Sequence, residues 1–214
     1  MYRIYADNQL IYSPDMVENG YFVSQPTCEK EVNKSGSCQF YIYKQNPYYN
    51  AIKPLKTIIS VKDGSKEVWR GRVLIAESNF DNRKTVYCEG ILSFLVDSVI
   101  RPYDRNCNME DQFRYLIAQH NEQVESFKQF TIKSITVDDP YGSKQWKTDS
   151  YEKTKDAIDG ILNTYGGYLI AEYENVQNVI SYVKDPYCEY TRSVRWKVLA
   201  ARSPPEAFSP KDHL

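Results

Sequence analysis

The chain has 214 residues, with 27 Lys or Arg against 28 Asp or Glu and a formal net charge of −1. That length can bury a sizeable core in one large domain or two small ones, and the balanced charge excludes the basic footprint of a tight nucleic-acid binder. No apolar run approaches membrane-spanning length, and Met1-Tyr2-Arg3-Ile4-Tyr5 starts a strand rather than a signal-peptide core, so a soluble protein outside the secretory route is expected.

Residues 1–103 read as all β. Tyr2-Arg3-Ile4-Tyr5 and Gln9-Leu10-Ile11-Tyr12 flank Ala6-Asp7-Asn8, a short hairpin signal. Gly20-Tyr21-Phe22-Val23-Ser24 leads into Pro26, then a polar stretch with the turn-like Lys34-Ser35-Gly36-Ser37. Residues 37–43 alternate as a strand, Asn46-Pro47 breaks it, and Pro54 separates it from the next. The clearest hairpin joins residues 56–62 to 66–73 through Asp63-Gly64, a pair suited to the positive φ angles of a tight two-strand turn. A second pairs 72–79 with 84–89 across Phe80-Asp81-Asn82-Arg83. Many short strands at this spacing predict a barrel or sandwich. Residues 91–100 are apolar and end at Pro102, as a short helix or a covering segment.

From residue 104 the pattern changes. Asn108 can cap a helix over 109–123, with Met109, Phe113, Leu116, Ile117 and His120 at helical spacing. Residues 130–137 suit a strand and Asp139-Pro140-Tyr141-Gly142 a turn. Ser150 is expected to cap a second helix over 151–165, which Gly166-Gly167 stops. Strands over 167–173 and 177–183, joined by Glu174-Asn175-Val176, complete a small α+β layer. The expected fold class is therefore α+β. An antiparallel β-barrel over 1–103 precedes an incomplete α+β domain over 104–190, with the boundary near 103–107. Residues 191–214, with Pro204, Pro205 and Pro210, form an irregular or non-native tail.

Five cysteines (Cys28, Cys38, Cys88, Cys107 and Cys188) form an odd set without regular spacing, expected to be reduced and structural. The 19 tyrosines suit half-buried strands or protein contacts. Catalytic signals are sparse. His120 is the only histidine outside the tail, so a histidine metal site is not expected, and its place on an apolar helix face favours a packed core residue over a partner for Cys107. Asp97, Asp104, Glu110, Asp111, Asp138, Asp139, Asp156 and Asp159 supply carboxylates, without a sign that two face one cleft. No phosphate loop, GxSxG or HExxH occurs. Trp69 beside Arg70-Gly71-Arg72 admits a nucleic-acid reading. The preferred reading is structural: a strand glycine permits close approach, and the arginines pair carboxylates or meet a neighbouring subunit. No catalytic, metal or cofactor-binding residue, and no cofactor, is assigned.

Three motifs in order carry a family resemblance: Trp69-Arg70-Gly71-Arg72-Val73-Leu74, Tyr87-Cys88-Glu89-Gly90, and the leucine-rich stretch ending at Arg101-Pro102. Together with Gly166-Gly167-Tyr168-Leu169 and Ile180-Ser181-Tyr182-Val183-Lys184-Asp185, they resemble the N-terminal hub region of phage tail-associated lysin and prophage endopeptidase-tail proteins. The likeness runs over about residues 40–183 and fades after Thr191-Arg192-Ser193. It implies a fold similar to the baseplate hub of contractile tails, in which three copies form a ring around a channel with barrels inside and small α+β domains outside. It implies a virion structural protein at the tail tip, assembled in the bacterial host cytoplasm and not an enzyme. Its partners would be itself as a homotrimer, distal tail or tube proteins and the tape measure. DNA would pass only transiently, and no membrane is involved. Family members continue into a second barrel and often a lytic module, so no lytic residue carries over. The alternatives are the N-terminal part of a tail-associated cell-wall hydrolase and a receptor- or carbohydrate-binding β module.

Overall fold

A computed structural model describes residues 1–185 and the strand Val194–Lys197. The remaining residues from 186 to 214, with Cys188 and the prolines of the expected tail, lie outside the described residues.

The N-terminal half is one antiparallel sheet. Its strands are β1 (Tyr2–Ala6), β2 (Gln9–Tyr12), β3 (Val23–Lys30), β4 (Ser37–Tyr43), β5 (Ile58–Asp63), β6 (Lys66–Ser78) and β7 (Arg83–Gly90). With Val194–Lys197 on β3 they make eight strands, ordered from that strand through β3, β4, β7, β6, β5 and β1 to β2. The sheet curls into a half-barrel, and among the described residues no pairing closes its two ends. Each expected hairpin forms. Asp7 and Asn8 turn β1 into β2 with φ of 47° and 67°, and Gly64 turns β5 into β6 with φ of 60°, the left-handed conformations that match strand twist. Pro26 lies within β3. β3 runs on to Lys30, because a register shift between Ser24 and Thr27 places Gln25 (φ 49°) and Pro26 in a bulge, where a missing N–H costs no ladder bond. Alternation sets the core: Cys38, Phe40 and Ile42 of β4 face inward with Val86 and Cys88 of β7, beside Ile4, Ile59, Trp69 and Val73.

The second half packs its own core. The apolar stretch after β7 is a 3-10 helix, Ile91–Val96, whose Phe94 and Leu95 join this second cluster rather than the first. The last residue of the first cluster is Cys88 and the first of the second is Ile91. There follow β8 (Val99–Ile100), β9 (Tyr103–Cys107), α1 (Met109–Asn121), β10 (Phe130–Ile135), β11 (Lys144–Thr148), β12 (Glu152–Lys153), α2 (Thr154–Tyr165), β13 (Tyr168–Glu174) and β14 (Gln177–Val183); Val194–Lys197 is β15. β13 and β14 form the expected hairpin, and β10 lies parallel to β14. Asn108 caps α1 by accepting from the Asp111 N–H at 2.7 Å. The Asp139 carboxylate accepts from the Tyr141 and Gly142 N–H groups and so makes the expected turn. Ser150 does not cap α2. The helix starts at Thr154, because Glu152 and Lys153 are taken up in a strand ladder with Ile100 and Val99.

Cys28 and Cys38, expected to be reduced, stand opposite each other on β3 and β4 with Cα atoms 4.0 Å apart and are joined as a disulfide. Cys88 lies next in the same row, opposite Cys38.

Candidate functional site

Of the motif residues, Trp69 to Val73 and Tyr87 to Gly90 come together where β6 pairs with β7. In register, Gly71 faces Gly90, Arg72 faces Glu89 and Val73 faces Cys88. The glycines are there for space. A Cβ on Gly71 would stand 2.0 Å from the Glu89 carbonyl oxygen and 2.5 Å from the Trp69 ring, and one on Gly90 would stand 1.9 Å from the Ser35 carbonyl oxygen. Only a residue without a side chain lets these backbones pass so closely.

Strand alternation then sorts the neighbours. Trp69 and Val73 point into the half-barrel core. Cys88 is there too, and burial raises its thiol pKa well above the usual range, which leaves it inert. Arg70 and Arg72 point the other way, toward the α/β layer. Arg70 donates to Glu67 at 3.0 Å and lays its guanidinium 3.6 Å over the Tyr173 ring of β13. Arg72, 7% exposed, donates to Asp97 and lies 3.8 Å from Glu89, with Phe94 beneath it. Lys128 reaches the same Asp97 carboxylate oxygen at 3.2 Å. Burial pushes the Asp97 pKa up, but hydrogen bonds from Arg72 and Lys128 outweigh it and hold the carboxyl below its ordinary value. Both arginines thus pair carboxylates, and Arg70 through Tyr173 and Arg72 through Asp97 bridge the two layers. Tyr87 is half-buried on β7, while Arg101 and Pro102 stand exposed between β8 and β9, apart from the cluster.

A second buried network adjoins the first. His120 Nε2–H donates to the Lys128 carbonyl at 3.1 Å, so Nδ1 accepts from the Ser98 hydroxyl at 2.7 Å, and Ser98 in turn accepts from Thr154 at 2.7 Å. Burial holds the imidazole below its ordinary pKa. This ties the last turn of α1 to the first of α2. It occupies both ring nitrogens, and Cys107 donates instead toward Gln112. Other carboxylates are likewise engaged. Asp139 caps α1 at the Met109 N–H, Asp104 accepts from Gln145, Glu110 pairs Arg114, Asp159 pairs Lys155 and Asp138 pairs Lys184. Among the described residues no group of three or more His, Cys, Asp or Glu could hold a metal ion, and no helix is long and apolar enough to cross a membrane.

Motif order exposed the glycines and arginines, but Lys128, Ser98 and Thr154 gave no sequence signal, since they join the cluster only through the packing of α1 and α2.

No family model and no curated protein matches the sequence. Solved structures do share its fold. The 43 kDa tail protein of prophage MuSo2 from Shewanella oneidensis aligns over 85% of this chain and 55% of its own, with TM-score 0.53 and 13% identity. A tail protein from Neisseria meningitidis aligns over 84% and 50%, with TM-score 0.56 and 12% identity. An Escherichia coli type VI secretion component, described as structurally similar to T4 bacteriophage tail proteins gp27 and gp5, aligns over 77% and 46%, with TM-score 0.53 and 11% identity. The chain spans about half the length of these structures. At such identities the likeness is one of fold: the chain has the α+β fold of phage tail and baseplate-hub-like proteins.

Proposed function

We propose that this chain is the N-terminal part of a structural hub at the tail tip of a long-tailed phage or prophage. Three copies form a ring that joins the tail tube to the tip and leaves a channel for DNA. The observation that carries the reading is the fold shared with the two tail proteins and the gp27- and gp5-like secretion component. In it, residues 1–103 serve as the barrel domain and 104–190 as the start of the outer α+β domain, and the motif cluster from Trp69 to Gly90 works as a rivet between them. The role is mechanical, not enzymatic. A net charge of −1 suits a passage that must not hold DNA tightly, and a ring with heterologous contacts that close on themselves needs large rigid contact area, which tyrosines supply. Partners beyond the chain itself are distal tail or tube proteins and the tape measure, met during assembly in the host cytoplasm.

Labelling tail particles with an antibody to this chain and imaging them in negative stain tests the assignment. Gold at one end of the tail is expected. Label spread along the tube, or on no particle, would overturn it.

A further inference from the structure

Three cysteines stand in one row across the half-barrel. Cys28 of β3 lies opposite Cys38 of β4, and Cys38 lies opposite Cys88 of β7. All three are at most 1% exposed and belong to the first core. Cys38, in the middle, is bonded to Cys28, while the Cys88 thiol is free. The ladder fixes how far that thiol's strand position is from Cys38. One step beyond Ser37 and Glu89, the Gly90 N–H donates to the Gly36 carbonyl at 3.2 Å. Gly36 and Gly90 are therefore a hydrogen-bonded pair, and so, two residues along, are Cys38 and Cys88. Such pairs hold their Cα atoms about 5.5 Å apart, near the middle of the roughly 4.4–6.8 Å that a disulfide spans. Cys38 thus has a cysteine within bonding reach on each side. The order of the row also suits the chemistry. Displacement at sulfur needs the nucleophile and the leaving group on opposite sides of the attacked atom, and Cys88 and Cys28 flank Cys38 in that way.

We infer that the half-barrel holds one exchangeable disulfide, which Cys38 shares between Cys28 and Cys88. The Cys88 thiolate attacks Cys38 Sγ, the Cys38–Cys88 bond forms, the Cys28–Cys38 bond breaks, and Cys28 leaves as a thiolate that takes up the proton Cys88 gave up. One disulfide and one thiol stand on each side of the step, so it needs no oxidant or reductant. Burial keeps Cys88 protonated in the closed sheet, and exchange therefore passes through opening of β3, β4 and β7 and is slow. Its result is mechanical. The covalent tie moves from β3 to the pair β4–β7 and releases the strand against which Val194–Lys197 lies. The exchange does not depend on the tail reading.

Loop closure gives the test a reference. In the unfolded chain the Cys28–Cys38 pair, 10 residues apart, is favoured over Cys38–Cys88, about 50 apart, by a factor of roughly ten. Folding removes that bias, because the ladder sets both partners beside Cys38. The chain is equilibrated with a glutathione redox couple at mildly alkaline pH, once in concentrated urea and once after refolding into native buffer. Acid quench, digestion and mass spectrometry then quantify the two linked peptides. The ratio of Cys38–Cys88 to Cys28–Cys38 is expected to rise by a factor of about three or more on folding. Cys28→Ala, checked for folding by circular dichroism, is expected to join Cys38 to Cys88. A smaller rise in the wild-type chain, or a folded Cys28→Ala chain in which Cys38 and Cys88 both remain free thiols, would overturn the inference.

Discussion

Gly71→Ala puts the rivet under the most direct stress. The added methyl would lie 2.0 Å from the Glu89 carbonyl oxygen, about 1.4 Å inside ordinary contact at 3.4 Å, and 2.5 Å from the Trp69 ring. Neither obstacle yields cheaply: one is backbone held in the β6–β7 ladder, and the other is a fully packed indole that is 2% exposed. Relief needs the strands to part at the point where Arg72 meets Glu89 and Asp97. Overpacking costs about 1–3 kcal/mol, and a rigid backbone obstacle places this change at the upper end, about 3 kcal/mol. For a chain of this size that lowers Tm by roughly 6–12 °C, which thermal unfolding followed by circular dichroism reads. Gly160→Ala supplies the contrast. Its Cβ meets nothing within 4 Å on the exposed face of α2, so removing a helix glycine should stabilise by about 0.5–1 kcal/mol. A Gly71→Ala protein that melts at or above the wild-type temperature would refute the close-approach argument.

Other consequences are as specific. Val176 sits at φ 68° in the turn between β13 and β14 and is 86% exposed; Val176→Gly creates an Asn-Gly turn and should raise stability by about 0.5–1 kcal/mol in urea unfolding. Asp97→Asn leaves the buried Arg72 and its neighbour Lys128 without their shared anion and should cost roughly 3 kcal/mol, and a loss under 1 kcal/mol would show that the pairing is incidental. Burial depresses the His120 pKa in the folded chain, so above about pH 6.5 both folded and unfolded states carry it neutral and its contribution is complete. As pH falls below that value the unfolded chain takes up a proton first, and stability drops by up to about 1.4 kcal/mol per pH unit until the folded histidine titrates. A stability profile between pH 5 and 6.5 that is flat, or unchanged by His120→Gln, would contradict the buried neutral imidazole.

Local features of this fold were legible in the chain. Four of the hairpins carry their turn residues in sequence, at Asp7-Asn8, Asp63-Gly64, Phe80-Asp81-Asn82 and Asn175-Val176, and Asn108 caps where its residue type and the following apolar spacing place it. What escaped depends on segments distant in sequence. The parallel pairing of β10 with β14 and the ladder of Val99-Ile100 with Glu152-Lys153 have no local signature, and the second displaced the start of α2. Residues 91–100 read as a short helix or a covering segment, and Ile91–Val96 is a 3-10 helix; that its Phe94 and Leu95 pack with the residues of α1 and α2 had no local signal. The disulfide required knowing that the bulge at Gln25 and Pro26 brings Cys28 into register with Cys38. In the motif cluster the residue types were readable, but the reason for Gly71 and Gly90 emerges only once their strands are paired and Ser35 lies against Gly90.

Light scattering after size exclusion, at several concentrations and two salt levels, reads whether the chain forms the proposed threefold ring. A species of roughly 75 kDa, three times the 25.0 kDa chain, in concentration-dependent exchange with monomer is expected. A mass of 25.0 kDa at every concentration and salt would contradict it.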